Sequence, residues 1–168
     1  MGALVTGVDV AVIGAGTMGR GIAQVAASAG HTVFLFDSVA DAVAKARQAM
    51  AKDLRFLVEK GRLADDECQA ILDRVQPAAK LEDLKTAGLV IEAVIENLDV
   101  KRDLFGRLEN LLGPEAILAT NTSSISVTAV AAGLARPERV AGLHFFNPAP
   151  RMALVEVVSG LVTDPALI

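Results

Sequence analysis

The chain has 168 residues, which is enough for one domain with a complete hydrophobic core. Apolar residues make up 52% of the chain and charged residues 21%, a mixture typical of a globular domain in water. The net charge of −4 leaves no basic face for a phosphate backbone, so we expect no nucleic-acid partner.

The first part of the chain follows a strand–helix–strand pattern. Residues 8–13, VDVAVI, form a short β-branched apolar run that is typical of a strand buried on both faces. Apolar residues at helical spacing follow and stop at Gly30, and HTVFLFD is a second buried strand that ends in an acid. Strand, helix and parallel strand within about 30 residues predict one βαβ unit.

Two helical segments, 38–61 and 63–75, come after the second strand and are longer together than a simple crossover requires. Strands and helices then alternate, with strands predicted in AGLVIEAVIE, AILAT, ERVAGLHFF and MALVEVVSG and helices in NLDVKRDLFGRLENLLG and SSISVTAVAAG. This order predicts an α/β fold, a Rossmann-type doubly wound, mainly parallel sheet with a helical-pair insertion after the second strand. We assign residues 1–168 to this single domain.

The two ends of the chain bear on its context. The N-terminus lacks the pattern of a signal peptide, no apolar run approaches the roughly 20 residues that span a bilayer, and the single cysteine, Cys68, suits a reducing compartment. We therefore predict a cytoplasmic protein that does not enter a membrane. Asp164 and Pro165 are typical of a helix start, and only three residues follow, so we expect a further helical region beyond them.

The stretch VIGAGTMGRG places Gly14, Gly16 and Gly19 in G-x-G-x-x-G spacing between the first strand and the first helix. In dinucleotide-binding folds these glycines permit a tight turn, let the pyrophosphate approach the backbone, and let helix and strand pack closely. The amides at the helix N-terminus attract the phosphates. Glycine triplets also occur in ordinary turns, but the strand–helix context favours a dinucleotide site.

Asp37 ends the second strand 18 residues after Gly19 and predicts which dinucleotide binds. Its carboxylate can accept hydrogen bonds from the ribose hydroxyls of the adenosine, and it would repel the 2′-phosphate of NADP. The residues that follow, SVAD, supply no arginine or lysine for that phosphate. We therefore predict NAD as the cofactor; in the alternative, Asp37 only caps the next helix.

His144, one of two histidines, ends a strand-like run beside two phenylalanines. Such a histidine is more often a packed core residue than a catalyst. Its place at the carboxyl end of a strand favours function, since open α/β sheets bind ligands there. If residues 140–144 and 154–158 pair as antiparallel strands around Pro150, His144 also lies opposite Glu156.

Glu156 stands in the middle of an apolar strand, where an unpaired buried carboxylate would be unfavourable. A pair with His144 resolves this, because the carboxylate fixes the imidazole tautomer and favours its protonated form. Such a pair suits proton transfer at neutral pH.

The loop ATNTSSIS supplies hydroxyl groups after another strand. At least one of Ser123, Ser124 and Ser126 is expected to cap the next helix, which leaves Ser123 free to bind a substrate oxygen. The chain has no tyrosine, which excludes a short-chain dehydrogenase with its Tyr-x-x-x-Lys pair. Two histidines and one cysteine are too few for a zinc dehydrogenase site, so we predict no metal.

Taken together, these segments resemble the NAD-binding domain of the L-3-hydroxyacyl-CoA dehydrogenase family, which includes bacterial 3-hydroxybutyryl-CoA dehydrogenases. The resemblance runs from about residue 8 to the end of the chain and rests on four long motifs in the same order: VIGAGTMGRGIAQVAASAGHTVFLFD, VIEAVIENLDVKRDLFGRLE, ATNTSSIS and LHFFNPAPRMALVEVV.

The resemblance implies oxidation of a 3-hydroxyacyl-CoA to the 3-ketoacyl-CoA by NAD. His144 would take the 3-hydroxyl proton, Glu156 would orient His144, and Ser123 would hydrogen-bond the reacting oxygen. The NAD contacts that it implies are Gly14, Gly16, Thr17, Met18, Gly19, Asp37, Glu96, Lys101 and Asn147. Those implied for the CoA part are Lys60, Lys101 and Ser123, although Asp53 stands where the family can carry a serine. Otherwise, Glu96 and Lys101 belong to a solvated helix start and Asn147 to a turn.

The family also has a C-terminal helical domain with the dimer interface and much of the acyl pocket, and this chain ends before it. The resemblance therefore implies a homodimer for the full-length protein, a role in fatty acid metabolism, and little or no turnover by this chain alone. A non-catalytic NAD-binding module and a dehydrogenase of free β-hydroxy acids are the alternatives. The second lacks the catalytic lysine that those enzymes place on a following helix.

Overall fold

The computed structural model describes residues 7–168, and in them seven strands form one sheet. The strands are β1 (Val10–Ile13), β2 (Val33–Phe36), β3 (Val75–Pro77), β4 (Leu89–Glu92), β5 (Ile117–Thr120), β6 (Val140–Phe145) and β7 (Val155–Ser159). The helices are α1 (Thr17–Ser28), α2 (Ala42–Glu59), α3 (Asp65–Arg74), α4 (Leu98–Leu111) and α5 (Val127–Ala131). The first six residues of the predicted domain, which include most of its N-terminal segment, lie outside the described residues.

The strand order is β3-β2-β1-β4-β5-β6-β7, with every neighbouring pair parallel except β6 and β7. The chain winds from β1 to one edge, returns to β4 beside β1, and winds to the other edge, so the switch point lies between β1 and β4. This confirms the predicted Rossmann-type, mainly parallel sheet. The helical pair α2–α3 separates β2 from β3, as expected for the insertion.

The buried core has two layers, one on each face of the sheet. Val10 and Val12 of β1 belong to the layer that contains α1, α2 and α3, while Ala11 and Ile13 belong to the layer that contains α4 and α5. All four residues are at most 2% exposed. A strand covered on both faces reads as a continuous apolar run, which is why residues 8–13 show no alternation.

The short strand β3 is a correction to the sequence analysis, which extends the second helix through Val75. Residues Val75–Pro77 instead pair with Val33–Leu35 of β2. Pro77 is tolerated because β3 is the edge of the sheet, where a missing amide hydrogen breaks no ladder.

The carboxyl-terminal end of the chain contains the predicted cap. The Asp164 side chain accepts a hydrogen bond from the amide of Ala166 at 2.8 Å, and a single 3-10 turn, Pro165–Leu167, follows. Among residues 7–168, no helix is both long and apolar enough to cross a bilayer.

Candidate active site

Two clefts lie at the carboxyl ends of the strands. The Asp37 cleft follows β2 and β3, and its lining includes Asp37, Ser38, Asp41, Arg47, Pro77 and Ala79. The His144 cleft follows β4, β5 and β6, and its lining includes Met18, Glu96, Lys101, Ser123, His144 and Asn147. The fold therefore brings six predicted site residues from separate segments into one cleft, at the side of the sheet where open α/β folds bind ligands.

The glycine loop between β1 and α1 has the geometry that its motif predicts. Gly14 has a φ of +101°, and a Cβ there would lie 2.5 Å from the carbonyl oxygen of Ala93. A Cβ on Gly19 would collide with the carbonyl oxygen of Gly14. At Gly16, by contrast, no atom lies within 4 Å of a Cβ, so this side of the loop is open to a ligand.

The start of α1 can bind an anion through its backbone. Gly16 is the N-cap and offers no side-chain cap, and the amide of Arg20 makes the bond to the Gly16 carbonyl at 2.9 Å. The amides of the first turn, including those of Thr17 and Met18, are consequently without intrahelical acceptors. They point toward the open side of the loop, where a pyrophosphate would meet them.

Asp37 is fixed against the glycine loop. Its Oδ2 accepts a hydrogen bond from the amide of Ala15 at 2.7 Å, and its Oδ1 accepts one from the amide of Val39 at 2.8 Å. Each carboxylate oxygen keeps a second lone pair for a ribose hydroxyl. The turn contact with Val39 shows that the local structural role and the predicted binding role are compatible.

Arg47 also lines the Asp37 cleft, and the sequence analysis missed it. The search for a cation that could bind the 2′-phosphate of NADP stops at the four residues after Asp37, whereas Arg47 reaches the cleft from α2. Counting basic residues over the first turns of that helix would have found it.

This arrangement predicts the effect of Asp37→Ala on cofactor choice. We expect the variant to bind NADH more weakly and NADPH more tightly, changing the ratio of the two Kd values by about tenfold or more, because a repulsive carboxylate is lost while Arg47 remains. Fluorescence titration with NADH and NADPH measures both constants, and the double variant Asp37→Ala/Arg47→Gln should lose the gain for NADPH. An unchanged ratio in Asp37→Ala would contradict the prediction.

The predicted pairing of His144 with Glu156 is confirmed. The two residues are partners in the antiparallel register of β6 and β7, and Nδ1 of His144 lies 2.8 Å from Oε2 of Glu156. Because a carboxylate can only accept, Nδ1 carries the proton and Nε2 keeps a lone pair. The ring also packs against Phe146, with centroids 4.8 Å apart, which restricts its orientation.

One premise behind that pairing was wrong. The sequence analysis takes Glu156 to be buried, whereas its side chain is 52% exposed and that of His144 is 22% exposed. The residues that follow it in β7 are exposed as well, since β7 is an edge strand and its outer face is not covered by the described residues. The apolar run there is thus not a sign of burial within this chain.

Glu96 and Lys101 are not a solvated helix start. The ammonium group of Lys101 lies 2.7 Å from Oε1 of Glu92 and 3.3 Å from Oε2 of Glu96, and its side chain is 1% exposed. Glu92, at the end of β4, is fully buried and was missed by the sequence analysis. The argument used for Glu156, that an acid in an apolar strand needs a partner, applies to Glu92 and would have found it.

Glu96 connects this buried pair to the loop that carries Ser123. Its Oε1 accepts hydrogen bonds from the hydroxyls of Thr122 and Ser124 and from the amide of Ser124 at 3.3 Å. Ser123 lies between these two residues and lines the His144 cleft. The predicted helix cap is supplied by Ser126, whose side chain accepts from the amide of Ala129 at 3.4 Å. Ser123 is therefore not needed for that cap.

Burial alone would raise the pKa of Glu96, but hydrogen bonds from Thr122 and Ser124 and the charge of Lys101 outweigh it and lower the pKa from 4.5 to about 2. A carboxyl whose pKa is lower in the folded state stabilises the fold above its ordinary pKa. That contribution is lost as the pH falls from about 4.5 toward 2.

We therefore expect the melting temperature to fall less steeply for Glu96→Gln than for the unsubstituted chain between pH 5 and pH 2.5. Because Glu96 is partly exposed, the difference should not exceed about 4 °C. Thermal unfolding followed by circular dichroism measures it, and Glu115→Gln, at an exposed glutamate, serves as the control. Parallel curves for Glu96→Gln and the unsubstituted chain would refute the expectation.

Lys60 and Asp53, predicted near the CoA moiety, lie apart from both clefts. Lys60 is exposed at the end of α2, with its ammonium group 5.4 Å from the centre of the Phe56 ring. Asp53 forms an ion pair with Arg20 at 3.1 Å. The described residues do not bring Lys60 into contact with the other predicted substrate residues, so its role stays a prediction.

The described residues fit a dinucleotide laid across the switch point. The open backbone at Gly16 and the free amides of α1 can hold a pyrophosphate, and Asp37 on one side can hold an adenosine ribose. The nicotinamide end would then enter the His144 cleft, which Met18 links to the glycine loop.

Comparison with known proteins agrees with this geometry. Residues 9–168 match the family model described as 3-hydroxyacyl-CoA dehydrogenase, NAD binding domain. The chain is 54% identical over 154 residues to the 3-hydroxyadipyl-CoA dehydrogenase of Escherichia coli K12, covering 92% of this chain and 32% of that protein. It is 46% identical to the 3-hydroxybutyryl-CoA dehydrogenase of Clostridioides difficile, covering 92% and 55%.

Among solved structures, the crystal structure of 3-hydroxybutyryl-CoA dehydrogenase from E. coli K12 has a TM-score of 0.94 and 52% identity to this chain, covering 95% of this chain and 34% of the other. The chain thus spans about a third to a half of the length of these relatives. The family also bears out NAD as the cofactor. The chain belongs to the family of 3-hydroxyacyl-CoA dehydrogenase NAD-binding domains.

Proposed function

We propose that this chain is the cofactor domain of an enzyme that oxidises an L-3-hydroxyacyl-CoA reversibly to the 3-ketoacyl-CoA with NAD. The observation that carries the proposal is the His144–Glu156 pair, with Nδ1 and Oε2 2.8 Å apart, in a cleft that adjoins the glycine loop. A module that only binds NAD has no need for such a pair. The names of the similar relatives, 3-hydroxyadipyl-CoA and 3-hydroxybutyryl-CoA dehydrogenase, support a CoA thioester as substrate.

In this mechanism His144 moves the proton. Glu156 accepts the Nδ1 proton, which leaves the Nε2 lone pair to take the proton of the 3-hydroxyl group. Glu156 then stabilises the imidazolium that forms. NAD, when bound, supplies the acceptor for the hydride that leaves C3. In the reverse direction the imidazolium returns its proton to the 3-keto oxygen.

The remaining predicted residues bind and orient. Ser123 donates a hydrogen bond to the reacting oxygen from the loop that Glu96 holds. Lys101 and Asn147 line the same cleft and contact the nicotinamide end or the adjoining substrate. Lys60 meets the CoA part, for which the resemblance to the family is the support.

We further propose that turnover requires residues beyond this chain, that the complete enzyme is a homodimer in the cytoplasm, and that it serves fatty acid metabolism. The length of the relatives supports the first point, since the chain spans 32% of one and 55% of another. The resemblance to the family supports the dimer and the metabolic role.

The test compares binding and turnover in the same preparation. NADH fluorescence measures binding, and the absorbance of NADH measures turnover with acetoacetyl-CoA and with free acetoacetate, for this chain and for the full translation product that contains it. We expect this chain to bind NADH with little turnover, and the full product to consume the thioester. Turnover of the free acid in preference to the thioester would favour a β-hydroxy acid dehydrogenase. Binding without turnover in both proteins would favour a non-catalytic module, and robust turnover by this chain would refute the requirement for further residues.

A further inference from the structure

Glu92 is a fully buried carboxylate to which the proposed mechanism gives no role. It ends β4, and its side chain is 0% exposed. Its Oε1 accepts hydrogen bonds from Lys101 and from the amide of Val94, both at 2.7 Å, and its Oε2 accepts one from the hydroxyl of Thr120, also at 2.7 Å. The group is held from three directions, so its charge has a fixed place.

The charges around Glu92 do not cancel. Lys101 is the partner of both Glu92 and Glu96, so one ammonium group faces two carboxylates. This three-residue cluster therefore has one surplus negative charge at the floor of the His144 cleft, which Glu96 and Lys101 line. Stability alone does not account for these charges, because an apolar pair of similar volume fills such a space without the penalty of desolvating ions.

The cluster lies on the nicotinamide side of the switch point. A dinucleotide whose adenosine meets Asp37 beyond β2 has its other end beyond β4, where Glu92 ends the strand. The nicotinamide ring is cationic when oxidised and neutral when reduced. A fixed negative charge in a poorly solvated site stabilises the cationic form selectively.

We propose that Glu92 is a positioning residue that holds Lys101 and Glu96 in place and gives the nicotinamide site a surplus negative charge, so that the site favours NAD⁺ relative to NADH. The proposal rests on the proposed function in taking the His144 cleft as the nicotinamide site. Contacts to ribose, phosphate and adenine are the same for both redox forms, so they cancel in the ratio of the two Kd values. That ratio therefore reports the charge at the ring.

The experiment measures Kd for NAD⁺ and for NADH by isothermal titration calorimetry on this chain. Glu92→Gln retains the size of the side chain and removes the charge, and we expect Kd(NAD⁺)/Kd(NADH) to rise on the order of 3- to 10-fold. Thr120→Val disturbs the same buried group without changing the net charge; we expect a lower melting temperature and an unchanged ratio. Glu92→Asp, which retains the charge, should also retain the ratio.

Glu96→Gln keeps the proposal falsifiable if the buried variant does not fold. Glu96 is 39% exposed, and its substitution removes the same unit of charge from the cluster, so the ratio should rise in the same direction. An unchanged ratio in Glu92→Gln, or in Glu96→Gln where the former is unfolded, overturns the inference while leaving the cofactor assignment intact. An equal shift in Thr120→Val also overturns it. Failure of the unsubstituted chain to bind either form overturns the cofactor site itself and the inference with it.

Discussion

His144→Gln should lower kcat for the reduction of acetoacetyl-CoA by NADH by roughly 10²- to 10⁴-fold, the range that a positioned general acid contributes. The carboxamide of glutamine can occupy the place of the imidazole, but it cannot deliver a proton to the 3-keto oxygen. Kd for NADH should be unchanged, because the glycine loop and Asp37 do not depend on this side chain. Absorbance of NADH and fluorescence titration give the two quantities on the full translation product that contains this chain.

Two controls make this expectation specific. His31, the other histidine, is buried, and its Nδ1 lies 3.0 Å from the carbonyl oxygen of Val8, well away from the His144 cleft in the fold. His31→Gln should therefore retain kcat even where it lowers stability. Glu156→Gln should lower kcat less than His144→Gln does, since the imidazole remains and only its partner is lost.

The double variant separates a working pair from two independent residues. If Glu156 acts only through His144, then Glu156→Gln adds no further loss once His144 is glutamine, because residues that act as a unit have non-additive effects. Multiplicative losses would mean that Glu156 contributes by another route. A His144→Gln variant that keeps kcat within about tenfold of the unsubstituted enzyme would refute the role of His144 as the proton carrier.

The pairing of His144 with Glu156 was predictable because it depends on local geometry. An antiparallel register around a short turn is set by counting equal distances from that turn, so two positions in one sequence segment suffice. The same holds for the glycine loop, where strand, turn and helix are adjacent in the chain. The doubly wound sheet followed from the alternation of such local units.

The buried cluster was not predictable in this way, because it depends on how α4 lies across β4 and β5. Glu92, Lys101 and Thr120 come from three elements, and nothing local places the ammonium group against both carboxylates. Exposure was misjudged for the same reason in both directions. Lys101, in a polar helix, is buried, while Glu156, in an apolar strand, is exposed. The short strand β3 was missed because its three residues are held by β2 rather than by a pattern of their own.

Gly16→Ala should bind NADH at least tenfold more weakly than the unsubstituted chain while unfolding at nearly the same temperature. Gly16 has a φ of −68°, which any residue adopts, and no atom lies within 4 Å of the place of its Cβ. A methyl group there meets nothing in the folded chain, yet it occupies the side from which the pyrophosphate approaches the backbone. Affinity is thus lost without loss of the fold.

Gly19→Ala should show the opposite order of effects. Its Cβ would collide with the carbonyl oxygen of Gly14, and because that atom is backbone it cannot move aside as a flexible side chain would. We expect a loss of stability of about 1–3 kcal/mol, with loss of NADH binding as a consequence of the displaced loop. Gly106→Ala in α4 is the control, since a Cβ there meets no atom within 4 Å and alanine favours the helix; both stability and NADH affinity should be retained or improved.

Thermal unfolding by circular dichroism and NADH titration on the three variants decide between these expectations. Weak binding with normal stability in Gly16→Ala, together with low stability in Gly19→Ala, assigns the middle glycine to the ligand and the third to the packing of α1 on β1. If Gly16→Ala bound NADH as tightly as the unsubstituted chain, the pyrophosphate could not lie against this part of the loop. The path of the dinucleotide from Asp37 to His144 would then need another course, and the two clefts would not be the two ends of one site.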